Sequence, residues 1–81
     1  MKIFDEVANK SLSNITILLK RNEIIQLIGY LEELSSNATE NQHYHLNDDT
    51  YFKEITIAVY DKNGKLDHFA EKYRKLILSD D

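Results

Sequence analysis

Two imidazoles separated by a single residue, His43 and His45, are the first groups in this sequence that could do chemistry. On an extended strand, positions i and i+2 share a face. The pair could therefore offer two nitrogens to a zinc ion, with Asp48, Asp49 or His68 as further donors. Zinc sites normally need three or four convergent ligands, and local geometry supplies only two. The expectation is no metal and no cofactor, with the histidines packing, hydrogen-bonding or touching a partner. Asp48-Asp49 beside His45 could be written as an acid-base group, yet Asn47-Asp48-Asp49 is also the composition of a solvated turn. The chain has no cysteine, and it shows no Gly-x-Ser-x-Gly elbow, phosphate-cradling Gly-rich loop or His-Glu-x-x-His pair. It is expected not to be an enzyme. Lys72, Arg74 and Lys75 read as favourable charge towards the end of a helix, or as a contact for an acidic partner.

Size and charge point the same way. The 81 residues, with no proline and two glycines, suit a single domain over residues 1–81. A core this small leaves little stability for a strained, water-excluding active site. Ten basic and fourteen acidic residues give a formal charge of −4 with both signs interspersed. There is no basic stripe to neutralise phosphates, so direct nucleic-acid binding is not expected. Acids at Asp5 and Glu6 interrupt what a signal peptide would need as an apolar core, and no stretch reaches membrane-spanning length. A cytoplasmic protein is the default expectation.

The elements that must position these residues follow from periodicity. Residues 1–13 suggest a short helix or an ordered arm. Ile15 to Leu19 is β-branched and alternating, which predicts a strand. The period then changes: Ile24, Leu27, Ile28, Leu31 and Leu34 predict a helix from about Asn22, as N-cap, to Leu34. Gly29 within it costs on the order of 1 kcal/mol relative to alanine and suggests close approach of another element. Ser35 to Asn41 reads as a loop. Gln42 to Leu46 reads as a second strand, followed by the Asn47-Asp48-Asp49 turn, and Tyr51 to Tyr60 as a third strand. Asp61 to Lys65 is a turn, and Leu66, Phe69, Ala70, Tyr73, Leu76 and Ile77 predict a terminal helix starting near Asp67 and ending near Leu78. The resulting fold class is α+β: a three-stranded, mainly antiparallel sheet with two helices packed on one face, in the order strand-helix-strand-strand-helix.

Strand alternation then assigns the faces. Ile15, Ile17, Leu19, Tyr44, Leu46, Ile55, Ile57 and Val59 point to the helices. Thr16, Leu18, His43, His45, Phe52, Glu54, Thr56, Ala58 and Tyr60 occupy the open face. Phe52 and Tyr60 would anchor a protein partner while His43, His45, Glu54 and Thr56 orient it, with the acidic turn at Asp48 and Asp49 as a secondary contact. Pairing of two copies through this face, giving a homodimerising structural module, is a further possibility.

A strand followed by Asn22-Glu23-Ile24-Ile25-Gln26-Leu27-Ile28-Gly29-Tyr30-Leu31, then His43-Tyr44-His45-Leu46 and another strand, resembles small immunity proteins of bacterial polymorphic-toxin systems over roughly residues 14–60. The histidine run is interrupted here by Tyr44. The resemblance implies an inhibitor that neutralises a toxin by direct binding. A phage-borne inhibitor of a bacterial defence complex, of the anti-CRISPR type, has the same profile of short, acidic, cysteine-free sequence.

Overall fold

The computed structural model describes residues 1–36, 43–61 and 63–79. The element order is β1 (Phe4–Asp5), β2 (Lys10–Ser11), α1 (Arg21–Ser36), β3 (His43–Asn47), β4 (Glu54–Ala58) and α2 (Glu71–Leu78). The mixed α+β class is as expected, but the sheet is not. The strands form two separate two-stranded antiparallel ladders, β1-β2 and β3-β4. The chain divides into two compact units, Leu19–Tyr60 on one hand, and Met1–Leu18 with the segment from Asp61 onwards on the other.

In the central unit the sequence pattern is largely realised. Tyr44 pairs with Ile57 and Leu46 with Ile55, so the apolar positions of β3 and β4 share one face of the hairpin. α1 lies against β3. The contact is made concrete by Tyr30 and Tyr44, whose rings stack 4.8 Å apart with their planes 8° from parallel. Leu34 and Leu46 are buried, while Leu27, Ile55 and Ile57 are half-buried. The helix starts one residue earlier than its N-cap signal suggested, and Asn22 does not cap it. Instead the buried Glu23 reaches back to accept a hydrogen bond from the Lys20 backbone N–H at 2.8 Å. That is the returning half of a capping box and satisfies a donor that the first turn leaves orphaned.

Three expectations fail in α1 and the segment before it. Ile15 to Lys20 forms no strand. Ile15 and Ile17 are about half exposed and Leu18 is 90% exposed. β-branched composition marks a segment that fits a pleated, half-buried surface, and without a neighbouring ladder that preference has nothing to act on. Secondly, the helical stripe is not buried as a whole: the row facing the hairpin is Glu23, Leu27, Tyr30 and Leu34, whereas Ile24, Ile28 and Leu31 are exposed. Thirdly, Gly29 marks no close approach, because a Cβ built there meets nothing within 4 Å. The strands are also shorter than the alternation suggested. Tyr51 to Lys53 and Val59-Tyr60 fall outside β4, Asn47 belongs to β3 rather than to the turn, and Gln42, with most of the expected 35–41 loop, lies outside the described residues.

In the other unit, residues 1–13 form an ordered arm that is a miniature hairpin and not a helix. Phe4 pairs with Ser11 and Asp5 with Lys10, extended by the Leu12 N–H to Ile3 carbonyl bond at 2.9 Å. The Asp5 carboxylate turns the chain by accepting the N–H groups of Val7 and Ala8 at 2.9 and 3.0 Å. Asn9 completes the reversal in the left-handed region at φ 57°, which asparagine tolerates better than most residues. α2 begins at Glu71 and not near Asp67. Residues from Leu66 form a turn instead, with the Phe69 N–H on the Leu66 carbonyl, and Ala70 supplies no side-chain cap. Ile77 is the buried residue of α2.

Because Gly29 has free space beside it, Gly29→Ala is expected to stabilise the protein by up to about 1 kcal/mol through helix propensity alone, read as a raised urea midpoint with an unchanged slope. Leu46→Ala, by contrast, removes a buried side chain and is expected to cost about 2–5 kcal/mol.

Candidate functional site

The β3-β4 register brings part of the anticipated site together. His43 lies opposite Ala58, His45 opposite Thr56, and Asn47 opposite Glu54. Since the apolar pairs occupy the other face, these six residues share the outer one. All are exposed except Asn47, which is half-buried. His45 is the centre of the polar contacts: its Nδ1 lies 2.9 Å from the Thr56 hydroxyl and 3.6 Å from the Glu54 carboxylate. Thr56 is within hydrogen-bond distance of Nδ1, with the ring tautomer setting which group donates, whereas Glu54 lies beyond that distance and interacts only through its charge. The His43 and His45 rings meet edge-on at 5.1 Å, which is closer than the roughly 6.7 Å rise between i and i+2 of a strand, so the two rings lean towards each other on their shared face.

Four other residues from the expected site lie elsewhere. Thr16 and Leu18 are in the segment without a strand. Tyr60 follows the end of β4 and is half-buried. Phe52 is in the loop joining β3 to β4 and is 88% exposed. Beside it stands Tyr51, 78% exposed, with its backbone in the left-handed region at φ 59°. An aromatic residue at positive φ is held there by its surroundings, not by its own preference. Alternation assigned Tyr51 to a strand and so gave it no role. Asn47 was missed too, although a third step in the His43, His45 alternation reaches it.

Asp48 builds the loop that displays these rings. Its Oδ1 accepts the N–H groups of Phe52 and Lys53 at 3.0 and 3.2 Å, and its Oδ2 accepts the Thr50 hydroxyl at 3.1 Å. Its backbone closes the loop from both sides, with its N–H on the Lys53 carbonyl and its carbonyl accepting the Tyr51 N–H, each at 3.1 Å. Desolvation pushes the Asp48 pKa up, but the hydrogen bonds from Lys53, Thr50 and Phe52 together outweigh it and hold the group below the ordinary aspartate value. Asp49 pairs with Lys20 at 3.0 Å on the surface. The acidic turn is therefore engaged in intramolecular contacts: Asp48 organises the loop and Asp49 forms a screened surface pair.

The basic cluster of α2 is likewise engaged within its own unit. Lys72 bonds Glu6 at 2.9 Å, Arg74 donates to the Phe69 carbonyl at 2.6 Å, and Lys75 lies 3.5 Å from Glu71. The Glu6 carboxylate also accepts the Tyr73 hydroxyl. The hydrogen bonds from Lys72 and Tyr73 hold Glu6 below the usual glutamate value, and the same bond to Glu6 raises Tyr73. Phe4 meets Tyr73 edge-on at 5.9 Å, with the Lys72 ammonium 5.5 Å from the Phe4 ring centre. This constellation ties the N-terminal hairpin to α2.

Among the described residues no group of three or more histidine, cysteine, aspartate or glutamate side chains is placed to hold a metal ion, and no helix is long and apolar enough to cross a membrane. Compared with protein-family models, curated proteins and solved structures, the chain matches none.

The Asp48 geometry carries a pH dependence. A carboxyl whose folded pKa lies below its unfolded value stabilises the fold fully above the unfolded value, and the contribution is lost as pH falls through the folded one. The amide proton shifts of Phe52 and Lys53 should follow one titration with a midpoint below the ordinary aspartate range. That titration should vanish in Asp48→Ala.

Proposed function

We propose that this chain is a non-catalytic binding protein that inhibits another protein by occupying it, through the outer face of the β3-β4 hairpin and the loop at its tip. The observation that carries the reading is the exposure, on one short hairpin, of two imidazoles with Glu54 and Thr56 on its face and of Tyr51 and Phe52 at its tip. Aromatic side chains offer large contact area at low entropy cost, and neighbouring polar groups provide direction. Holding Tyr51 at positive φ, in a loop ordered by Asp48, prepares the tip before any partner arrives and so lowers the cost of association.

The target class follows from the resemblance to small immunity proteins: a bacterial toxin, neutralised by a tight, stoichiometric complex. In this assignment Phe52 is the anchor. Tyr60, half-buried and beyond the strand, plays a smaller part, and His43, His45, Glu54 and Thr56 set orientation.

Immobilised wild-type protein and a Phe52→Ala/His45→Ala variant, both verified as folded, would be challenged with lysate of the source organism. The reading expects a protein retained by the wild type and lost with the variant. For the isolated partner, Phe52→Ala is expected to weaken binding by about 2 kcal/mol or more. Identical retention by both proteins would count against this surface.

A further inference from the structure

The apolar surface of α1 is wider than the hairpin uses. At about 100° per residue, Glu23, Leu27, Tyr30 and Leu34 form the row that meets β3, while Ile24, Ile28 and Leu31 form a second row centred about 100° further round, with Ile25 at its edge. These four aliphatic side chains are 44 to 63% exposed. Neighbouring exposed aliphatics along about two turns make a contiguous patch, which marks an interaction surface more often than isolated exposed residues do. Asn22, Gln26, Glu33 and Ser36 occupy the remaining arc, and Ser35 closes the aliphatic row at its C-terminal end.

The charges beside the row identify what fits it. Arg21 flanks the row at its N-terminal end and Glu32 at its C-terminal end, on the same side and both exposed. Among the described residues neither forms an ion pair, the pairs being Lys20–Asp49, His45–Glu54, Lys72–Glu6 and Lys75–Glu71. Two copies of the helix side by side in parallel would place Arg21 on Arg21 and Glu32 on Glu32. An antiparallel two-fold arrangement, in which residue i meets a residue j with i + j nearly constant, brings Arg21 against Glu32 of the second copy. The same register sets Ile24 against Leu31 and Ile25 against Ile28. All three pairings share one two-fold axis close to Leu27, so a single placement satisfies both the apolar row and the charges. Helix dipoles also favour antiparallel neighbours.

We propose that α1 is a self-association surface: two copies of this chain pair antiparallel through Ile24, Ile25, Ile28 and Leu31, with Arg21 and Glu32 fixing the direction. The interface is formed by α1 and not by the outer face of the hairpin, so it stands independently of the binding role proposed for that face. The patch is small beside the roughly 1,200–2,000 Å² of standard interfaces. The association is accordingly weak and concentration-dependent, with burial driving it and the ion pairs selecting its orientation.

The test is sedimentation equilibrium of the full chain from micromolar to millimolar concentration. The wild type is expected to show a monomer-dimer equilibrium, and Ile28→Asp to raise the dissociation constant at least ~10-fold. Arg21→Glu and Glu32→Arg, neither in the hairpin-facing row, are each expected to weaken the dimer. The double charge exchange is expected to restore it to within about 3-fold of wild type. Circular dichroism of each variant checks that the helix is intact. A wild type that remains monomeric over the whole range overturns the proposal. So does a dimer indifferent to Ile28→Asp and to the single charge reversals, since its interface must then lie elsewhere.

Discussion

A two-stranded hairpin in water is marginal by itself, and in the central unit the packing of α1 against β3 gives this one a core. The Tyr30–Tyr44 stack and the burial of Leu34 and Leu46 fix which face of the hairpin is inside. Because side chains alternate with a period of two, the same contact settles the other face. With Tyr44 and Leu46 turned to the helix, His43 and His45 are turned out, and the antiparallel register brings Thr56 and Glu54 beside them. A slip by one residue would bury the imidazoles and expose the leucine.

Local hydrogen bonding does the rest. Asp48 gathers the N–H groups of Phe52 and Lys53 and the Thr50 hydroxyl, and Asp5 does the equivalent for Val7 and Ala8. Both are aspartates that replace missing ladder bonds at a chain reversal, the use for which short carboxylate side chains are suited. In the N-terminal and C-terminal unit, Glu6 extends this economy across the chain by engaging both Lys72 and Tyr73. Among the described residues, carboxylates at turns thus organise both chain reversals and the contact between the N-terminal hairpin and α2.

Under the proposed binding role, the central unit meets other proteins through its surface. Its exposed features are surfaces: the imidazole-bearing face and aromatic tip of the hairpin, and the aliphatic row of α1. One presents polar direction with rigid rings, the other shape and hydrophobic area. They belong to different elements of the central unit, so occupation of one does not use the side chains of the other.

The mixed α+β class, the presence of α1 and the outward placement of His43, His45, Glu54 and Thr56 were legible in the residues, because strong local periodicity survives whatever packs around it, although α1 runs on through Ser35 and Ser36, which read as loop. The residues alone could not say whether Ile15 to Leu19 would find a ladder partner, which half of α1's apolar arc would be covered, or that Tyr51 and Phe52 would leave the strand for a loop ordered by Asp48. Those outcomes depend on which neighbours arrive. Periodicity states which side chains share a face, whereas burial is a property of the surface brought against it. Sequence therefore determined the elements and the side chains they present together, and the tertiary structure decided which of those faces became interior.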